Sequence, residues 1–213
     1  MINIITLERE YGSGGGVIAQ KLAERLGWKL WDQLLTNEIA RSMKCNDAEI
    51  EQREERRDSL TYRLLKSFMR GTFEGNLNAP DLRLLDADCI FAVTKQLMPR
   101  LAEAGRCVIV GRGGAYFLQE RSDAYHVFVY ADPAEKVRRL REEGKSDAEA
   151  ADLVATVDTE RAAFIKKYFN LKWPTRSRYH VMINSRVGEE AVVQTILNGI
   201  AVLEKPHAVG AGA

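Results

Sequence analysis

The chain has 213 residues, of which 31 are basic and 30 acidic, giving a formal net charge of +1 at pH 7. Charges so closely balanced create no long-range field toward nucleic acid or an anionic membrane, so any anion site must be built locally. The length suits one domain with room for an insertion, and not a second full domain.

Cys45, Cys89 and Cys107 are odd in number, scattered, and form no CxxC pair. That pattern argues against a disulfide framework and a structural zinc site, and points to a reducing compartment. The N-terminus enters a β-branched run at once, without a basic leader, and no segment approaches the roughly 20 apolar residues of a membrane span. The expectation is a cytoplasmic protein.

Residues 2–7 (INIITL) are short, β-branched and almost wholly apolar, which predicts a first strand buried on both faces. A glycine-rich turn follows. Val17, Ile18, Leu22 and Leu26 then recur at helical spacing until Gly27 ends the helix. Residues 28–31 read as a short second strand, with a helix from 32 through 44 carrying Leu35, Ile39 and Met43 on its apolar side. The charged run that follows interleaves Glu51, Arg53, Glu54, Glu55, Arg56 and Arg57 at spacings of a solvated helix, and residues 71–80 read as a loop.

A helix over about 86–104 leads into CVIV at 107–110, broken by GRGG. HVFVY at 126–130 is a third apolar strand, after which Asp132 and Pro133 open a helix with proline at a favoured early position. RRLREEGK at 138–145, a helical run through 168, a last strand YHVMI at 179–183 and a final helix over 188–203 complete the pattern. Five short strands alternating with helices predict an α/β fold, an open parallel five-stranded sheet with helices on both faces. Ligands of such sheets sit beyond the carboxyl ends of the strands, so the loops after Leu7, Val110 and Ile183 are where function is expected. Residues 1–204 read as one domain, with a helical insertion over about 46–80, and 205–213 as a flexible tail of small residues.

The segment EREYGSGGGV at 8–17 places Gly12, Ser13, Gly14, Gly15 and Gly16 between strand and helix. Glycines there free successive backbone amides to converge on a phosphate at the helix N-terminus, although a tight turn alone would also use them. A dinucleotide fingerprint fits less well, since it needs glycine where Val17 stands.

ITLEREYGSGGG resembles the opening of the cytidylate kinase-like family, itself similar to bacterial cytidylate kinases. VIVGRGGAYFL at 108–118, FVYADPAEKVRRL and the closing ERAAFIKKYF with YHVMINS extend the resemblance over nearly the whole chain. It implies a P-loop fold of the nucleoside-monophosphate-kinase type with a helical lid over about 138–160. The implied reaction is transfer of a phosphoryl group from ATP, with Mg2+, to a nucleoside monophosphate, CMP or dCMP first, and the implied partners are nucleotide substrates. The loop departs from a standard Walker loop: Arg9 stands at the first glycine, Gly15 at the lysine and Gly16 at the hydroxyl residue. The loss removes two electrostatic parts of phosphoryl transfer, which leaves open a nucleotide-binding regulator without turnover, or a kinase of another small metabolite.

Arg9 could supply the missing charge, since guanidinium engages phosphate in bidentate fashion, or it could pair with a nearby acid. Ser13 is the lone hydroxyl of the glycine run and a magnesium candidate; CVIV has no terminal aspartate, so Mg2+ follows from the reaction class and no metal-ligand set is identified. Arg112 projects from GRGG, where the resemblance implies contact with the acceptor phosphate and a plain ion pair is the alternative. Arg138, Arg139 and Arg141 look like lid arginines, or ordinary cations of a last helical turn. Asp158 and Arg161, three apart, could pair with each other or with substrate, and the resemblance favours Arg161. Asp32 either caps its helix or recognises the acceptor. Asn184 and Ser185 meet the donor base or form a turn. His126 and His180 lie in strands without a third ligand, and Trp173 reads as core.

Overall fold

The computed structural model describes residues 1–44 and 87–205. The expected insertion over 46–80, the charged run over 51–57, the loop at 71–80, Cys45 and the tail beyond 205 lie outside the described residues.

In chain order the elements are β1 (Ile4–Arg9), α1 (Gly15–Leu26), β2 (Lys29–Trp31), α2 (Gln33–Lys44), α3 (Ala87–Glu103), β3 (Cys107–Val110), α4 (Gly114–Phe117), β4 (Ala124–Tyr130), α5 (Pro133–Glu142), α6 (Asp147–Phe169), β5 (Val181–Asn184) and α7 (Glu189–Glu204). All five strands are parallel, in the order β2-β3-β1-β4-β5. The expected sheet is therefore present. β1 lies at its centre, hydrogen-bonded to β3 on one side and β4 on the other, and every residue of β1 is buried.

Alternate residues of β1 feed two cores, as the period of a strand requires. Ile4 packs with Trp31, Leu35, Ile109 and Phe164 under α2, α3, α4 and α6. Ile5 and Leu7 pack on the other face with Ile18, Leu22, Val127, Val192 and Ile196 under α1 and α7. Trp173 joins the first core, its ring meeting Phe128 edge-on at 5.4 Å. Cys107 is buried, and burial pushes its thiol up to about 11, so it is a packing residue and no nucleophile.

One strand end corrects the expectation. β1 continues two residues beyond Leu7, because β4 is long enough to pair Glu8 with Phe128 and Arg9 with Val129. Arg9 is thus the last residue of the strand rather than part of the loop. α1 ends as expected at Gly27, whose backbone is left-handed (φ 62°) and whose N–H closes on Ala23 and Glu24 carbonyls. α5 and α6 form an antiparallel pair joined to Tyr11 of the glycine loop through Leu140, Ala150 and Val157. That small third core fixes the pair above the carboxyl edge of the sheet.

His126, on β4, lies in the first core with its Nδ1 2.7 Å from Thr6 Oγ1 and its ring stacked on His180 at 5.1 Å. Burial, with His180 second, lowers it to about 4. A histidine held neutral in this way binds its proton more weakly folded than unfolded. Its contribution is complete above the unfolded value near 6.5 and is lost as pH falls toward 4. Denaturant unfolding between pH 7 and pH 4 is expected to show about 3 kcal/mol of such loss. His126→Gln should flatten that part of the profile.

Candidate active site

Three chain reversals converge at the carboxyl edge: residues 10–14 after β1, Asp32 after β2, and residues 111–113 after β3. In the first, Gly12 and Gly14 have φ of 73° and 74°, and α1 begins at Gly15. No side chain caps α1, and the amides of its first turn have no intrahelical acceptor, which is the anion-binding end of a helix. The absence of side chains on these glycines is required. A Cβ on Gly15 would stand 2.6 Å from Arg9 Cβ, and one on Gly14 2.7 Å from Arg139 Nη1. Ser13 is wholly buried; its hydroxyl donates to the Glu10 carbonyl at 2.8 Å and its amide to the same oxygen at 3.3 Å. Its side chain closes the turn.

In the third reversal Gly111, Arg112 and Gly113 are successive left-handed residues with φ of 66°, 55° and 70°. Arginine in that region costs on the order of 1 kcal/mol, so the surroundings must hold it. They do so by an ion pair: Arg112 Nη1 donates to Asp32 Oδ1 at 3.0 Å and to the Val110 carbonyl at 3.0 Å, with the Arg112 side chain fully buried.

Arg9 runs between the two loops. Its Nη1 occupies the space a Gly111 Cβ would need, 2.1 Å away. Arg9 is 6% exposed, and its Nη2 has no hydrogen-bond partner among the described residues. On the other face of β1, Glu8 is 5% exposed with Oε1 likewise without a partner. Arg161 donates to the Arg9 carbonyl at 2.9 Å and to Asp158 at 3.1 Å, and the Tyr11 amide donates to the same Asp158 oxygen at 2.9 Å.

Three arginines and three carboxylates thus share one buried neighbourhood. Burial lowers all three arginines, Arg161 to about 10, against the pull of Asp32, Glu8 and Asp158. Burial likewise raises Glu8 and Asp158 against the pull of the arginines. Protonation of either acid leaves the group with surplus positive charge, which suits a phosphate.

The expected lid arginines divide. Arg139 faces the glycine loop: it donates to the Ser13 carbonyl, to Ser185 Oγ at 3.0 Å and to the Ser185 carbonyl at 3.1 Å, while Glu135 accepts from its Nε at 2.9 Å. Arg138 is exposed and engaged by Glu135 and Glu142 of its own helix. Arg141 is exposed and pairs with Asp147 at 2.7 Å. Asn184 accepts from the Arg186 amide at 3.0 Å and so forms a turn, whereas Ser185 is buried beneath Arg139. Among the described residues no three His, Cys, Asp or Glu side chains group as a metal site.

The model of the cytidylate kinase-like family matches residues 4–187, which includes every residue of this cluster. The chain belongs to the cytidylate kinase-like family. No curated protein matches it. Among solved structures, it is similar to an uncharacterized protein from Eubacterium ventriosum (22% identity, 95% of this chain and 99% of that one, TM-score 0.66). It is also similar in fold to a gluconokinase from Sinorhizobium meliloti (13% identity, 94% and 93%, TM-score 0.56) and a shikimate kinase from Bacteroides thetaiotaomicron (16% identity, 94% and 99%, TM-score 0.51). The fold of this cytidylate kinase-like protein is that of the P-loop kinases.

Sequence reasoning reached Glu8 and Glu10 only as acids that Arg9 could pair with, and missed Lys136. Lys136 is 6% exposed and joins Glu10 at 2.6 Å and Asp158 at 3.3 Å. One signal for it exists, since Lys136 and Arg139 are three apart and share a helical face, while Arg138 and Arg141 share another.

Proposed function

We propose that this protein transfers the γ-phosphoryl group of ATP, with Mg2+, to a nucleoside monophosphate in the cytoplasm, with CMP or dCMP first among acceptors. The observation that carries this reading is the glycine loop opening onto the uncapped N-terminus of α1, with the partly unpartnered guanidinium of Arg9 alongside. Membership of a kinase-like family supports phosphoryl transfer as the reaction class. CMP as acceptor rests on the family resemblance alone. Among the described residues no helix is long and apolar enough to cross a membrane.

The residues present fit a triphosphate. The amides of Gly14 to Gly16 point an uncapped helix end at it, Arg9 offers a spare donor, and Arg139 lies against Gly14. With Ser13 turned to Glu10, Mg2+ would be held largely by the nucleotide's own phosphate oxygens. ATP supplies the phosphoryl group and Mg2+ neutralises part of its charge when bound. The chain's own contribution is positioning and charge. Arg9 spans the donor and acceptor loops, Arg112 is fixed by Asp32 at the acceptor edge, and Arg139 and Arg161 close the site from the lid helices. Asp158 orients Arg161.

A nucleotide-binding regulator without turnover is the second reading, favoured by the Ser13 hydroxyl being committed to Glu10 in a loop that also lacks lysine. Incubation with ATP, with and without Mg2+, against ribo- and deoxyribonucleoside monophosphates separates the two when ADP and diphosphate are followed together. Magnesium-dependent formation of CDP or dCDP is expected. Saturable ATP binding with no product from any acceptor would replace the kinase reading with the regulator, and turnover confined to a different small metabolite would move the acceptor.

A further inference from the structure

The loop lysine that a Walker motif would place on α1 is absent, yet a buried lysine stands against the same loop from the opposite side. Lys136, on α5, lies with its Cβ 3.0 Å, its carbonyl 3.2 Å and its Cα 3.3 Å from where a Gly12 Cβ would be. Its side chain is thus rooted on the glycine loop. Its ammonium is held by Glu10 Oε2 and Asp158 Oδ2.

We propose that Lys136 replaces the missing loop lysine, its ammonium exchanging Glu10 and Asp158 for the phosphates of a nucleoside triphosphate bound at the glycine loop. The proposal rests on the reading of that loop as a triphosphate site.

Two features make the exchange feasible. The first is that neither carboxylate is orphaned when the lysine leaves: Glu10 Oε2 also accepts from the Ala131 amide at 3.3 Å, and Asp158 keeps the Tyr11 amide and Arg161. A buried acid left with no partner would oppose the move; these two retain hydrogen bonds. The second is that the ammonium is a compact charge on a flexible four-carbon stem, so it can redirect by rotation about its own bonds while α5 stays docked. A triphosphate offers more anionic oxygens than the two carboxylates it replaces as the lysine's partners. Lys136 therefore differs from Arg9, whose stem packs on Gly15 and whose guanidinium lies against Gly111.

The test is isothermal titration of magnesium-ATP and of AMP into the full-length protein, its Lys136→Met variant and its Glu10→Gln variant, with thermal unfolding of each. Lys136→Met is expected to weaken ATP roughly 10- to 100-fold and AMP far less, because the ammonium serves the outer phosphates. Glu10→Gln should tighten ATP by releasing the lysine, and Lys136→Arg should restore part of the lost affinity. The Glu10→Gln result stands even if Lys136→Met fails to fold. Equal loss of ATP and AMP in Lys136→Met, or weaker ATP binding in Glu10→Gln, would show that Lys136 merely latches the lid, and overturn the proposal. A wild-type protein that binds no ATP would remove the triphosphate site and this inference together, whereas wild-type binding matched by Lys136→Met removes the inference alone.

Discussion

Arg9→Met is expected to reduce kcat for phosphoryl transfer by about 1,000-fold, the lower end of what a single arginine contributes to the charge of a transferring phosphoryl group. The size follows from where the guanidinium is. It lies against Gly111 of the GRGG loop while its stem packs on Gly15 of the glycine loop, and it is buried, with no hydrogen-bond partner for Nη2 among the described residues. A buried guanidinium with an unused donor has already been desolvated, so a phosphate oxygen placed against it gains the interaction at little further cost. Methionine keeps the stem that packs on Gly15 and removes only the charge. Arg9→Lys should recover a small part, since a point charge cannot fork between two loops. Steady-state kinetics with the acceptor found in the nucleotide panel, alongside thermal unfolding, check this. Unchanged turnover in a folded Arg9→Met protein would assign Arg9 to structure alone.

The order of strand, glycine loop and helix was legible because each step has a local cause. Buried parallel strands are apolar on both faces, so INIITL, CVIV and HVFVY stand out against the polar chain. Gly27 marks the end of α1 because a left-handed residue is needed there. The position of Arg9 was not legible. Glu8 and Arg9 have the composition of a loop, and only their pairing with Phe128 and Val129 of β4, about 120 residues away, keeps them in the strand.

The same limit applies to the site. Local spacing related Asp158 to Arg161 but left Arg138, Arg139 and Arg141 as one group. It gave no means of joining Lys136 to Glu10 or Asp32 to Arg112, because those pairs are made by the topology of the sheet. Lys136 and Arg112, which look like solvated surface in sequence, are buried here with counterions from other segments of the chain. Such pairs are set by the fold before they are visible as chemistry.

Asp32→Ala should destabilise the protein by about 3 to 5 kcal/mol, the usual result of removing one partner from a buried ion pair. For a chain of this size that is a fall in Tm of roughly 10 °C or more. Arg112 would be left buried without its Asp32 counterion, in a left-handed backbone conformation that Asp32 helps to hold. Asp32→Asn keeps an acceptor for Arg112 Nη1 and should cost much less. The double variant Asp32→Ala, Arg112→Met should recover much of the loss, because an apolar side chain needs no counterion. This pattern separates the pair's structural role from its catalytic one. If the pair also aims Arg112 at the acceptor, Asp32→Asn will fold normally yet raise the acceptor KM, and the double variant will be stable but inactive. A single Asp32→Ala variant with unchanged Tm would mean that Arg112 finds another carboxylate, Glu8 being the nearest in charge and burial, and that the geometry of the acceptor edge does not depend on Asp32.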